Sequence, residues 1–420
     1  MSKNRGWTVT FSGTGINLAL GILYTWSVFK GAINVSITKG GPGAFTWDPA
    51  SLNDPYAICC LVFAFATVLA GRIQDKWGPR VTAFLGGILV SIGLILISQT
   101  TSYAVWLVGF GLLAGAGIGF GYAAATPPAL KWFPPQKTGL VAGLVVSGFG
   151  LASVYIAPLS QYLLRVWGIQ SSMLFFGIAF LVVVCGLSMY LVNPPAGFVP
   201  PAAALKPGQQ AAAPKPQVDA KPSEMMKTGS FYLIWFIYFI GAGAGLMVIG
   251  SVAGMAQKSM GELAFIAVAI LAIGNAGGRI IAGIISDRIG RRLTLIIMLL
   301  FQAALMLIAI PLVGAQKASP ILVVLIATFM GFCYGTNLSL FPSLTKDKWG
   351  LKNFGINYGL VFTAWGVGGF VMGRLSQMLI ASTGRYTSSF LTAAVLLVVG
   401  AVLAVFLKGK KSEPRAAAQK

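Results

Sequence analysis

Long apolar runs broken by short polar stretches dominate the chain. A run of about 18 or more mostly apolar residues is long enough to cross a bilayer as a helix. Twelve such runs stand out, at roughly 7–29, 54–74, 80–100, 103–130, 138–164, 169–192, 229–252, 260–285, 291–313, 318–345, 353–383 and 387–407. The first follows Lys3 and Arg5, as in a signal peptide, but it is too long for one and no A-x-A-like site follows it. The pattern predicts an all-α membrane protein with twelve transmembrane helices in two six-helix bundles, residues 1–193 and 229–407. Between them, 194–228 is rich in Pro, Ala and Lys and has too few bulky apolar residues to fold. It is expected to be a flexible linker, and 408–420 a disordered tail.

Composition agrees. Of 420 residues, 56% are hydrophobic and 9% charged, against about 25% charged in soluble domains, and the mean hydropathy is +0.82. The net charge of +21 has an orienting explanation. With the N-terminus inside, 22 of the 30 Lys/Arg fall in inner segments and 6 in outer ones, leaving Arg279 and Arg374 within spans. That bias obeys the positive-inside rule and predicts cytoplasmic termini in a plasma (bacterial inner) membrane. The basic residues lie in separated loops facing anionic lipid, so no nucleic-acid partner is expected. The four cysteines lie in apolar runs and read as small core residues. The absence of histidine removes His-based zinc sites and Ser–His or Cys–His nucleophile pairs. No enzyme activity, metal or cofactor is expected.

The two halves repeat each other. Gly71-Arg72-Ile73-Gln74-Asp75-Lys76-Trp77-Gly78-Pro79-Arg80 follows the second run, and Gly283-Ile284-Ile285-Ser286-Asp287-Arg288-Ile289-Gly290-Arg291-Arg292 follows the eighth. Gly119-Phe120-Gly121-Tyr122 is matched by Gly331-Phe332-Cys333-Tyr334, and Gly139, Gly143 and Gly150 by Gly355, Gly359 and Gly366. Such duplication suggests a transporter that rocks two bundles around a site at mid-membrane. The G-x-x-x-D-[RK]-x-G-x-[RK] motif resembles that of the major facilitator superfamily. The copy from Gly283 is the fuller match, since the first has Gln74 and Pro79 at places usually held by Ser or Ala and by Arg. Glycine permits close helix approach, and Asp75 and Asp287 can accept from helix N-termini. Gly71, Asp75, Arg80, Gly283, Asp287 and Arg288 are thus expected in a gate latch. A plain orienting turn is the alternative.

A narrower resemblance lies in Leu23-Tyr24-Thr25-Trp26-Ser27, Asn275-Ala276-Gly277-Gly278-Arg279, Ser339-Leu340-Phe341-Pro342-Ser343 and Asn357-Tyr358-Gly359. These resemble the monocarboxylate transporter and oxalate/formate antiporter branch, a bacterial L-lactate-type member in particular. In that branch the eighth-helix arginine binds the carboxylate, with an aspartate four residues before it in monocarboxylate transporters. Here Arg279 matches the arginine and Asn275 replaces the aspartate. Oxalate exchangers carry a lysine in helix eleven, where this chain has Trp365.

A charge as deep as Arg279 costs at least ~2.5–3.5 kcal/mol on insertion scales and usually marks a function. Guanidinium offers a carboxylate two parallel donors. Asn275, one turn earlier on the same face, can position the arginine, bond the substrate or join helices. Tyr24, Tyr122, Phe149, Tyr334 and Trp365 stand at matched or repeat-equivalent places and are expected to line the substrate site. Packing is their alternative. Arg374 points away from the Trp365 face and is expected in a structural or gating role, with Asp54 or Glu262 as partner. No Asp, Glu or His falls at the membrane centre, so the usual proton-relay residues are missing. One cation without a core anion suits a monoanion. The expected function is transport of small monocarboxylates such as lactate or pyruvate by a monomer, with proton symport implied only by the resemblance. An oxalate/formate-like organic anion antiporter is the alternative.

Overall fold

The computed structural model describes residues 5–200, 219–260, 264–314, 319–383 and 386–407. Eleven helices among them are long and apolar enough to span a bilayer. One of these, covering Thr138–Ser188, breaks at Gly168 (φ 75°), a left-handed conformation that glycine adopts without strain. Twelve crossing segments result. They are α1 Gly6–Lys39, α2 Asp54–Trp77, α3 Pro79–Ser98, α4 Tyr103–Lys131, α5 138–167, α6 169–188, α7 Gly229–Met260, α8 Ala264–Ile289, α9 Arg291–Gly314, α10 Pro320–Trp349, α11 Phe354–Thr383 and α12 Thr387–Val405. The expected all-α, twelve-span architecture holds, with most ends within a few residues of those read from hydropathy.

Lipid-facing stripes are plain in the packing. On α12, Val395, Val398, Val399 and Val402 are exposed, while Ala394, Leu397 and Ala401 are buried. This is the 3.6-residue period of a helix with one face in the core, except that the outer face is apolar too.

Two helix pairs carry the packing between the halves, α2 on α11 and α5 on α8. Glycines make both possible. A Cβ on Gly71 would collide with the Gly355 carbonyl, and one on Gly139 with that of Gly283. Higher up, Gly359 lies on Thr67 and Val68, Gly366 on Ala64, and Gly143 on the backbone of Arg279 and Ile280. The contacts run from the membrane face that carries the repeated motif, here called the motif face, to mid-membrane.

Two helices depart from regular geometry. α1 tightens into a 3-10 turn over Gly21–Thr25, and α4 widens into a π-helix over Leu107–Ala114. The 3-10 turn carries Tyr24, and such mid-helix departures often mark working segments.

The expected linker needs correction. Both described ends of 194–228 are held down. Phe198 packs edge-on against Trp132 at 4.8 Å. Near the other end, a short helix Pro222–Met226 buries Met225. The Asp219 carboxylate accepts from the amides of Leu351 and Lys352 at 3.1 Å, and the Ala220 carbonyl accepts from Asn353 and Asn357. Isolated anchors of this kind leave no periodic trace in a polar stretch. Residues 201–218 and the tail 408–420 lie outside the described residues.

Candidate functional site

The site is built around Arg279, ten residues and about 15 Å of helix from the end of α8. Its side chain is fully buried and crosses from α8 to α5. Nε donates to Asn275 Oδ1 at 3.0 Å, and Nη1 donates to the Val146 carbonyl of α5. Nη2 has no partner, although it is buried. Arg279 makes no ion pair among the described residues. Gly150 explains how the guanidinium fits against α5, because a Cβ there would stand 3.3–3.4 Å from Nε and Cζ. The same stretch of α5 takes side-chain donors from α1. Thr14 donates to the Leu144 carbonyl at 3.1 Å and Asn17 to that of Val145 at 2.8 Å. Three successive carbonyls of one helix thus tie α1, α5 and α8 together.

Tyr24, on the 3-10 turn of α1, joins a chain of hydrogen bonds across the two halves. Its hydroxyl bonds that of Tyr334 at 2.9 Å, and Trp365 Nε1 donates to the same Tyr334 oxygen at 2.8 Å. Phe149 packs edge-on against Tyr24 at 5.1 Å and against Tyr122 at 5.7 Å. Phe63 stacks on Phe149, and Phe362 stacks on Trp365 at 5.2 Å. All seven residues expected at the substrate site therefore gather around one buried layer. Phe149 and Trp365 each stand eleven residues into their helices, as the repeat requires.

Sequence reading missed Val146, Asn17, Phe63 and Phe362. A backbone carbonyl carries no sequence signal. Asn17 alone, a polar residue inside the first apolar run, was visible.

The motif residues form two crossed latches. Asp75, at the end of α2, accepts from the amides of Gly355 and Ile356 that open α11, both at 3.0 Å. Asp287, at the end of α8, accepts from Gly139 and Leu140 that open α5, at 2.9 and 3.0 Å. Each carboxylate thus grips a helix of the other half, where unpaired amides and the helix dipole favour an anion. Gly78 and Gly290, with φ of 91° and 93°, turn the chain after each aspartate.

The latches differ in their cations. Arg291 pairs with Asp287 at 2.6 Å and with Asp347 at 3.1 Å, and also bonds Ser286. At the equivalent place the first half has Pro79, which opens α3 and cannot pair. Nearby, Gln74, equivalent to Ser286, is buried with both amide atoms unpartnered. The Arg80 and Arg288 side chains, expected in the latch, are exposed and hold no partner among the described residues. Arg291 does this work, brought back to Asp287 by the turn at Gly290. Arg374 is also exposed and without a partner among the described residues. Asp54, one partner expected for it, accepts instead from the Tyr103 hydroxyl at 2.5 Å. Glu262, the other, lies outside the described residues.

Comparison with known proteins fits this geometry. The chain is 26% identical over 403 residues to the oxalate:formate antiporter of Oxalobacter formigenes, covering 94% of this chain and 89% of that protein. It is 27% identical over 406 residues to monocarboxylate transporter 13 of Rattus norvegicus, covering 96% and 89%. The fold matches the transporter FucP of Escherichia coli with a TM-score of 0.63 at 17% identity, covering 94% of this chain and 98% of that one. The sequence model described as Major Facilitator Superfamily matches residues 6–373 and 234–420. The chain belongs to the major facilitator superfamily, a family of multi-pass membrane transporters and not of enzymes.

Proposed function

We propose that this transporter carries small monocarboxylates of the lactate or pyruvate type, with the carboxylate bound to Arg279. The observation that carries the reading is the buried guanidinium with a free Nη2 and no counter-ion among the described residues. A buried cation without an anion is costly, and a monoanionic substrate cancels that cost. Asn275 orients the guanidinium, and the bonded Tyr24–Tyr334 hydroxyl pair leaves one O–H as a neutral donor beside it. Phe149, Trp365 and Phe63 form an apolar wall that limits substrate size. Tyr122 packs edge-on against Phe149 and Phe63 in the same layer. The similarity to a monocarboxylate transporter over nearly the whole chain supports the same substrate class.

Proton symport is part of the proposal. None of the described carboxylates lies near Arg279, so the proton is proposed to travel on the substrate's own carboxylate. The crossed latches are proposed to act as gates, closed here, and the motif face is proposed to be the cytoplasmic face of a plasma-membrane protein, a reading that the charge bias supports.

The similarity to the oxalate:formate antiporter favours a second reading, exchange of organic anions. Trp365 opposes it for a dianion, because no second cation of the site balances a second charge. Uptake of labelled lactate and pyruvate into proteoliposomes decides the matter. An imposed inward proton gradient should raise accumulation several-fold, and Arg279→Ala should abolish saturable uptake. Uptake indifferent to the gradient would remove proton symport. Counterflow without net uptake would favour the exchanger, and an Arg279→Ala variant that keeps saturable uptake would remove the site.

A further inference from the structure

Asn17, a polar residue inside the apolar run of α1, uses only half of its side-chain amide. The side chain is fully buried, and Nδ2 donates to the Val145 carbonyl of α5 at 2.8 Å. Only the amide nitrogen can donate to a carbonyl, so this bond fixes which arm of the amide is the oxygen. Oδ1 is the other arm, and it has no partner. A buried acceptor left open is costly, which points to a donor that fills it.

Neighbours on α1 set the direction of Asn17. A Cβ on Gly121 of α4 would meet the side chains of Ile16 and Leu20, and one on Gly148 of α5 would meet the backbone of Thr14 and Leu18. Asn17 falls between these two faces, so its amide enters the bundle between α4 and α5. Arg279 arrives from α8 and takes the next carbonyl, that of Val146. The two grips stand one residue apart on α5, a rise of about 1.5 Å. Each side chain keeps a buried polar atom free, the donor Nη2 of Arg279 and the acceptor Oδ1 of Asn17, and the two are not bonded to each other. The other open amide oxygens among the described residues lie elsewhere. Gln302 and Asn337 stand against Gly245 and Gly241 of α7, and Gln74 and Asn357 adjoin the α2–α11 latch.

A free donor and a free acceptor at one place complement a molecule that carries the reverse, carboxylate oxygens and a hydroxyl on the next carbon. A 2-hydroxy acid has that arrangement. A 2-oxo acid turns a carbonyl oxygen toward Oδ1 instead, and two acceptors repel. A site built to bond a hydroxyl rejects the analogue that lacks it. We propose that Asn17 selects 2-hydroxy acids over 2-oxo acids, with Oδ1 accepting from the substrate hydroxyl while the carboxylate rests on Arg279. The inference rests on the monocarboxylate reading above and narrows its substrate class.

The test uses the full chain in proteoliposomes, with labelled L-lactate and pyruvate as probes and unlabelled propionate, which has no oxygen on the second carbon, as competitor. For wild type, the KM for pyruvate should lie about tenfold above that for L-lactate, and propionate should compete about fivefold more weakly than unlabelled L-lactate. Asn17→Leu removes the acceptor at similar volume. Asn17→Ser removes it with a hydroxyl that turns back to its own helix. In both variants the ratio of the two KM values should fall to about two, because L-lactate loses its bond and pyruvate its repulsion. An equal rise of both KM values marks a structural role and would overturn the proposal. So would wild-type protein that does not prefer L-lactate, or a ratio unmoved in the variants. If Asn17→Leu fails to fold, Asn17→Ser and the wild-type ligand series decide. Wild-type protein without saturable uptake of either acid would overturn the underlying reading and the selection with it, whereas saturable uptake that Arg279→Ala abolishes, with the ratio unmoved at Asn17, removes the selection alone.

Discussion

The two latches share backbone geometry but not charge, and Asn substitution at each aspartate exposes the difference. Asp75→Asn keeps the shape of the side chain and one acceptor oxygen, and it loses the charge and one of two amide bonds, at 3.0 Å each. A hydrogen bond to a charged group contributes about 1.5–3 kcal/mol, so the closed latch should weaken by about 2 kcal/mol. Asp287→Asn loses the same and also the 2.6 Å pair with Arg291, whose side chains are only 10% and 9% exposed. Arg291 retains Asp347 at 3.1 Å, which limits the further loss to about 1 kcal/mol. The closed-to-open ratio should then fall about 30-fold for Asp75→Asn and about 150-fold for Asp287→Asn. Hydrogen exchange of the four latch amides reads this directly, because Gly139, Leu140, Gly355 and Ile356 exchange only when their aspartate lets go. Faster exchange at the start of α11 in the first variant, and a larger acceleration at the start of α5 in the second, is expected. Equal accelerations, or a larger one for Asp75→Asn, would refute the view that Arg291 makes the second latch the stronger.

Four further outcomes follow from the same contacts. Gly150→Ala places a methyl 3.3–3.4 Å from the guanidinium, and substrate Kd should rise about tenfold with little loss of stability, measured by thermal shift with lactate. Trp365→Phe keeps the wall but removes the donor to Tyr334, and KM should rise about fivefold with transport retained. Gly143→Val drives two methyls into the backbone of Arg279 and Ile280; it should prevent closure of α5 on α8, seen as loss of net uptake in a protein that still folds by size-exclusion chromatography. Asp219→Ala frees the amides of Leu351 and Lys352, and faster hydrogen exchange confined to the turn between α10 and α11 should follow.

The spans were legible because a bilayer demands long apolar runs, and glycine or proline punctuated nearly every end. Arg279 was legible because a charge in such a run has no cheap explanation. The aspartate latches were legible from the repeat, which placed equivalent residues at equivalent helix ends. What the sequence hid lies in backbone and direction. Val146 serves through its carbonyl, which every residue has. Tyr238 sits in Phe-Ile-Tyr-Phe-Ile, where periodicity does not separate a ring that faces the core from one that faces lipid. Arg288 and Arg291 stand in one motif, and only the turn at Gly290 decides which of them reaches Asp287. The ordered end of the linker was hidden because Met225 and Asp219 work as single anchors in a polar stretch, without a period to reveal them.

On the proposed reading, the closed latches and the substrate site are one mechanical unit. Arg279 donates across the α5–α8 contact to Val146, and the same contact closes the motif face through Gly139 and Gly143. Opening that face separates α8 from α5 and takes the Val146 carbonyl away from Nη1. In the empty carrier, two of the arginine's donor groups then stand unpaired in a low-dielectric site, where each lost bond to a charged group costs about 1.5–3 kcal/mol. A bound carboxylate accepts from both, so the loaded carrier opens without that penalty. Nη2 is unpartnered before opening as well, so opening costs the one Nη1 bond, about 1.5–3 kcal/mol, or about 10- to 150-fold in the rate of reorientation. Return of the empty carrier is thereby the slow step of net uptake. Asn275 keeps its bond to Nε throughout, since both residues ride on α8, so the guanidinium holds its direction while its partners change.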